Sequence, residues 1–172
     1  IAELIRAMVN HSDKLMVIAA GYADKMQEFV DSNEGLRSRF TRSITLPSYT
    51  VDELVEITTR KAAKGGSIIE DVAPLQQAYT DLGAATAVDS TGRARRALDI
   101  LGNARLAENL IGFAEEERDH RLDVSGILDA DATAEDLQTI TVEDLRAAVT
   151  RELVRAEREQ NIALSRPPGG AQ

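Results

Sequence analysis

The chain has 172 residues, a formal charge of −9 and 43% hydrophobic residues, enough for one good core or two small ones. It has no cysteine, which excludes disulfides and thiolate metal sites and fits a reducing, cytoplasmic compartment. An acidic chain with three Tyr, three Phe and no Trp offers neither a broad basic surface nor a stacking platform, so nucleic acid is not an expected partner.

Ile1, Leu4, Ile5 and Met8 fall at helical spacing with no cap before them. The numbering is therefore expected to start inside a longer protein, and no signal peptide is expected. Leu15 to Ala20 is a continuous apolar run closed by Gly21. Such a run reads as a strand buried on both faces, and it is far too short to span a membrane. Asp24 to Val30 reads as a short helix and Ser32 to Gly35 as a loop. Ser43 to Leu46 reads as a second strand stopped by Pro47. Two strands do not make a stable parallel sheet, so further strands are expected upstream.

Thr50 with Glu53 forms a capping box that opens a helix running to Gly65-Gly66, with Leu54, Ile57 and Thr58 on one face. Ser67 with Glu70 repeats the box, although Pro74 moves the expected start of the next helix to near Ala73. That helix ends by Gly83. Thr91 to about Asp119 reads as the longest helix, with Ala97, Leu98, Leu101, Leu106, Leu110 and Phe113 on its apolar side. Asp123 to Thr139 is polar and acidic, a loop with a short helical turn. Thr141 and Asp144 open a last helix to about Glu159, followed by the Arg166-Pro167-Pro168-Gly169-Gly170 tail.

The stretch from Val17 to Tyr49 carries V-I-A-A-G-Y, D-K-M, S-N-x-G-L-R-S-R-F and a strand ending in P-x-Y, followed by Asp52-Glu53-Leu54. This combination resembles the AAA+ subfamily that includes the CbbX-type Rubisco activases, the sporulation protein SpoVK and the EccA ATPases of type VII secretion. The likeness continues more weakly to about Val149, and the helical end, including Leu137 to Thr141, is most similar to the EccA group.

The resemblance implies a fold: the last strands of a RecA-like α/β core, then an all-α lid, mostly helical overall. Residues 1–49 would belong to the core, 50–150 to the lid, and 151–172 to a helix end and tail. It also implies roles. Arg39 matches an arginine finger, with Arg37 second and Arg42 nearby. A guanidinium from a neighbouring subunit stabilises charge spread over the γ-phosphoryl oxygens. Gly92-Arg93, at the expected start of the long helix, matches a second sensor facing the nucleotide, with Arg96 as runner-up. Tyr22 stands where many relatives carry a polar sensor, commonly Asn or Thr.

No G-x-x-x-x-G-K-[ST] occurs, and no apolar run ends in an Asp-Glu pair. The implied ATP and Mg²⁺ therefore belong to the complete protein, with both motifs upstream, and this segment alone is expected to be inactive. The implied function is ATP-driven protein remodelling in type VII secretion by a homo-hexamer acting on protein substrates. The alternatives are a Rubisco activase, a non-catalytic helical module docking a partner through the Ile57 or Leu101 faces, and a metal-dependent hydrolase. The last has little support. The Glu115 to His120 run reads as a solvated face, and the Asp129, Asp131, Glu135, Asp136 cluster lacks calcium-loop spacing.

Overall fold

A computed structural model of the chain describes residues 1–88, 92–126 and 132–159. Helix accounts for 64% of it. The chain divides at Pro47/Ser48 into two compact units.

The first unit holds α1 (Ala2–Asn10), α2 (Ala23–Asp31) and the one-turn α3 (Glu34–Arg37). Asn33 caps α3, its Oδ1 accepting from the Gly35 amide at 2.8 Å. Leu36 is fully buried, and Phe29 meets Phe40 edge-on at 6.1 Å between ring centroids. The two expected strands form no ladder here. Residues 15–20 and 43–46 lie outside every sheet among the described residues. A strand exists only by pairing its backbone with a neighbour, and these segments do not pair with each other. Their apolar side chains stand open: Met16 and Ile18 are 83% exposed, Ile44 87% and Leu46 85%.

The second unit is built from α4 (Val51–Gly65), β1 (Ile68–Ile69), α5 (Ala73–Ala84), β2 (Thr86–Val88), β3 (Ala94–Arg96), α6 (Ala97–Ile100), α7 (Ala104–Val124), α8 (Ala134–Gln138), β4 (Thr139–Ile140) and α9 (Val142–Glu159). The Thr50–Glu53 capping box is complete, and α4 stops at Gly66, whose φ of 84° is costly for any residue with a Cβ. Leu54, Thr58 and Ala62 face inward at i, i+4 and i+8. Leu54 and Ala62 join Leu75, Leu98, Leu106, Leu110, Ile140 and Leu145 in one core beneath α4, α5, α7 and α9.

Three expectations need correction. Ser67 caps nothing; its hydroxyl donates to Glu115 at 2.7 Å, while β1 pairs in parallel with β4 (Ile68 with Thr139, Ile69 with Ile140). The helix after it starts at Ala73, where Pro74 tolerates the first turn. The single helix expected from Thr91 is instead a strand, a short helix, a turn and a long helix, and Thr91 itself lies outside the described residues. The break falls at Gly102 and Asn103, with φ of 87° and 51°. Two successive left-handed residues end a right-handed helix. The apolar rhythm ran through the break because α6 and α7 fill the same core. Leu101 is buried in that core, so it offers no face to a partner. Asp129, Asp131 and the Arg166 to Gly170 tail also lie outside the described residues.

One buried polar pair crosses the core. Thr58 Oγ1 donates to the Leu54 carbonyl at 2.7 Å and lies 2.6 Å from the Tyr79 hydroxyl, which therefore donates to it. Burial pushes the Tyr79 phenol up to about 12. Tyr79→Phe leaves Thr58 satisfied by Leu54 and is expected to cost about 1 kcal/mol. Thr58→Val strands a buried phenol and is expected to cost more, about 1–3 kcal/mol. Urea unfolding of both variants measures the order, and equal losses would contradict this geometry. Since the folded phenol holds its proton more tightly, its contribution is full below pH 10 and fades as pH rises toward 12.

Candidate functional site

The arginines singled out in the sequence fall into two groups, one in each unit. In the first unit Tyr22 is the residue before α2 and is 59% exposed. Arg37 ends α3, and its Nη2 pairs with Asp31 Oδ1 at 2.9 Å. Asp31 is held below its ordinary pKa, first by the Gln27 hydrogen bond and then by Arg37. Arg39 lies two residues further on and is half-buried. Its Nη1 donates to the Gly35 carbonyl at 2.8 Å and to Ser38 Oγ at 3.2 Å. A Cβ at Gly35 would approach Arg39 Nη1 to 3.4 Å and Ile5 Cδ1 to 3.1 Å. Glycine thus lets the guanidinium fold against its own helical turn. The two candidates differ in kind: Arg37 pairs with a neighbouring carboxylate, whereas Arg39 is held by neutral oxygens and makes no ion pair among the described residues.

In the second unit the hairpin β2–β3 pairs Thr86 with Arg96, Ala87 with Arg95 and Val88 with Ala94. Directly paired residues share a face. Arg96 therefore points outward with Thr86, and Arg95 lies on the side of buried Ala87. Arg93 is exposed just before β3. The expectation that Gly92-Arg93 opens a helix is thereby corrected: Arg93 precedes a strand, Gly92 has a φ of 80°, and the helix begins only at Ala97. What the structure does assemble is three arginines, Arg93, Arg95 and Arg96, on one short hairpin arm of an acidic chain.

Asp99, not singled out in the sequence, organises this arm. Arg96 donates to it through Nε (3.2 Å to Oδ2) and Nη2 (3.1 Å to Oδ1). Ser48 donates to Oδ1 at 2.5 Å, and Asn103 Nδ2 reaches the same oxygen at 3.5 Å. Burial pushes the Asp99 carboxyl up, but the Arg96 and Ser48 bonds more than offset it and hold it below the ordinary range. The signal was the spacing Arg96-x-x-Asp99, which sets the residue before a helix against the first turn of that helix.

The acidic run on α7 has structural partners. Glu115 accepts from Ser67, Glu116 and Glu117 face Arg151 on α9, and Arg118 meets Asp119 and Ser67. Among the described residues no three His, Asp or Glu side chains come together as a metal site.

A family profile described as the AAA lid domain matches residues 50–155, most of the chain and nearly all of the second unit. The chain belongs to the AAA lid domain family. The AAA lid is thus the unit that carries Arg93, Arg96 and Asp99. Among curated proteins the chain is similar to the ESX-3 secretion system protein EccA3 of Mycolicibacterium smegmatis, 49% identical over 145 residues, 83% of this chain and 24% of that protein. EccA3 of Mycobacterium tuberculosis strain H37Rv is 44% identical over 85% of this chain and 24% of its own length. The ESX-1 secretion system protein EccA1 of Mycolicibacterium smegmatis is 39% identical over 85% of this chain and 25% of its own. The chain therefore spans about a quarter of the length of these relatives. Among the described residues no helix is long and apolar enough to cross a membrane.

Proposed function

We propose that this chain is the C-terminal part of a AAA+ ATPase that couples ATP hydrolysis to protein remodelling in type VII (ESX) secretion. The observation that carries the reading is the identity of 44–49% with EccA3 proteins over most of the chain, lid included. Residues 1–49 are the end of the nucleotide-binding core, 50–150 the lid, and 151–172 its helix end and tail. The bare apolar segments around Met16, Ile18, Ile44 and Leu46 support this: they are core strands whose neighbours belong to the rest of the protein. The complete protein works in the cytoplasm as a homo-hexamer on protein substrates, with Arg39 acting on the nucleotide of a neighbouring subunit.

The lid residues fit a polyphosphate. Arg93 and Arg96 would hold ATP from the lid side, with Arg95 adding charge beside them; bound ATP supplies the γ-phosphoryl group to be transferred. Tyr22, in the first unit, would be the polar sensor of the nucleotide-binding core. No residue described here is assigned to Mg²⁺, whose ligands belong with the phosphate loop.

The test uses the complete protein. Binding of a fluorescent ATP analogue and nucleotide-dependent assembly are measured for wild type and Arg93→Ala. Weaker binding by about tenfold, the scale of a charge-assisted hydrogen bond to phosphate, is the expected result. A complete protein that binds no nucleotide and does not change its assembly with ATP would sink the motor reading and favour a non-catalytic module.

A further inference from the structure

We propose that Asp99 is a positioning residue that aims Arg96 at the nucleotide and anchors that aim to Ser48, where the chain runs into the lid. The inference rests on the reading that the hairpin face meets ATP. It adds a residue to which neither the sequence motifs nor the family likeness assigned a role.

An ordinary exposed Arg–Asp pair three residues apart orders nothing, because both side chains swing freely. Here the carboxylate is fixed from other directions. Its side chain is only 22% exposed. Oδ1 accepts from Ser48, 51 positions earlier in the sequence, and from Asn103 at the break between α6 and α7. Asp99 therefore cannot follow Arg96 outward; Arg96 must conform to Asp99. The carboxylate takes Nε–H and one Nη2–H, two of the five guanidinium donors. The remaining edge is the one an anion meets, and the Arg96 side chain is 48% exposed. Such a carboxylate behind a cation acts as outer partners do behind metal-bound histidines: it fixes orientation before the ligand arrives.

The arrangement also links two places. The hydroxyl of Ser48 and the fork of Arg96 share Oδ1, so a shift of Arg96 toward phosphate pulls on the atom that holds the chain at the start of the lid. Asp99 thus connects occupation of the hairpin face to the segment at Pro47/Ser48 where the chain divides into its two units.

A double-mutant cycle on the complete protein tests this, with the dissociation constant of a fluorescent ATP analogue and the kcat and KM of ATP turnover as readouts. Arg96→Ala, Asp99→Asn, Ser48→Ala and the double variant Arg96→Ala/Asp99→Asn are compared. Asp99→Asn keeps the shape of the side chain and guards against misfolding, which circular dichroism checks. The expected result is that Arg96→Ala and Asp99→Asn each weaken nucleotide binding by on the order of tenfold, the scale on which an orienting partner acts. The double variant is then no worse than Arg96→Ala, and Ser48→Ala shows a smaller loss of the same kind. If Arg96→Ala weakens binding while Asp99→Asn is silent or simply adds to it, the positioning role is overturned and the nucleotide-facing lid stands. If Arg96→Ala and Arg93→Ala are both silent, the nucleotide reading of this face fails and the positioning role fails with it.

Discussion

Replacing Arg39 with Ala in the complete protein is expected to lower ATP turnover by about a thousandfold or more, the scale on which arginine fingers act. The loss has an electrostatic cause. Charge builds on the γ-phosphoryl oxygens in the transition state, and a guanidinium aimed there costs no reorganisation when it builds. Structural damage cannot imitate it. Arg39 makes two hydrogen bonds within its own turn, to the Gly35 carbonyl and to Ser38. Losing them costs about 1 kcal/mol each, which shifts the melting temperature by a few degrees and leaves a folded protein. Arg39→Lys is expected to recover little, because an ammonium lacks the planar fork. Arg37→Ala is the internal control: an exposed pair with Asp31 is lost, and turnover is expected to stay near wild type.

Mixing subunits decides whether Arg39 acts across an interface. An Arg39→Ala subunit with an intact phosphate loop is combined with a subunit whose phosphate loop is disabled and whose Arg39 is intact. Each is expected to be inactive alone, and the mixture to regain part of the rate. Normal turnover by Arg39→Ala alone would reduce Arg39 to loop decoration and leave the non-catalytic reading stronger.

Arg121→Ala is expected to be among the most damaging substitutions to the lid, costing about 2–3 kcal/mol at neutral pH. Asp144 is 3% exposed and accepts from Arg121 Nε at 3.0 Å to Oδ1 and from Nη2 at 3.0 Å to Oδ2. Arg121 also donates to the Thr139 carbonyl at 3.2 Å, so one guanidinium joins α7, β4 and the start of α9. Without it a buried carboxylate keeps only its bonds from Thr141. The loss stays below that of a fully enclosed pair because the Arg121 side chain is 35% exposed.

The pH dependence gives a second readout. Burial alone would raise the Asp144 pKa, but the Arg121 bonds and the Thr141 amide outweigh it and hold the group below 3.8. Its stabilising contribution is therefore present above that value and is lost as pH falls through the lower folded value. In Arg121→Ala the carboxyl loses its cation, so acid unfolding is expected to begin at a higher pH than in wild type. Thermal melting at several pH values checks this; parallel curves for the two proteins would contradict it.

Some of this molecule was legible residue by residue. The Thr50–Glu53 and Thr141–Asp144 boxes rest on interactions three residues apart and the start at Ala73 on Pro74 in the first turn, and a sequence displays such neighbours directly. The motif from Val17 to Tyr49 pointed to the family before any geometry was known. The resemblance ranked Arg39 before Arg37 and Arg93 before Arg96. The structure adds the surroundings of three of them. Arg37 is tied to Asp31, Arg39 lies along its own helical turn, and Arg96 is gripped by Asp99.

Tertiary pairing decided the rest. Ser67 and Glu70 satisfy the spacing of a cap, yet the 71-residue jump from Ile68 to Thr139 turns that stretch into a strand. Apolar spacing from Ala97 to Phe113 suits one helix or two, because both deliver Leu98, Leu106 and Leu110 to the same core; only the left-handed turn at Gly102 and Asn103 settles it. The runs at Leu15 and Ser43 have strand composition, but a strand is completed by its neighbour's backbone, which its own residues do not contain. Sequence by itself determined family, caps and charge pattern, since these depend on nearby residues. Contacts between distant residues determined how Asp99 is fixed, through Ser48, and on which side of the hairpin Arg96 stands.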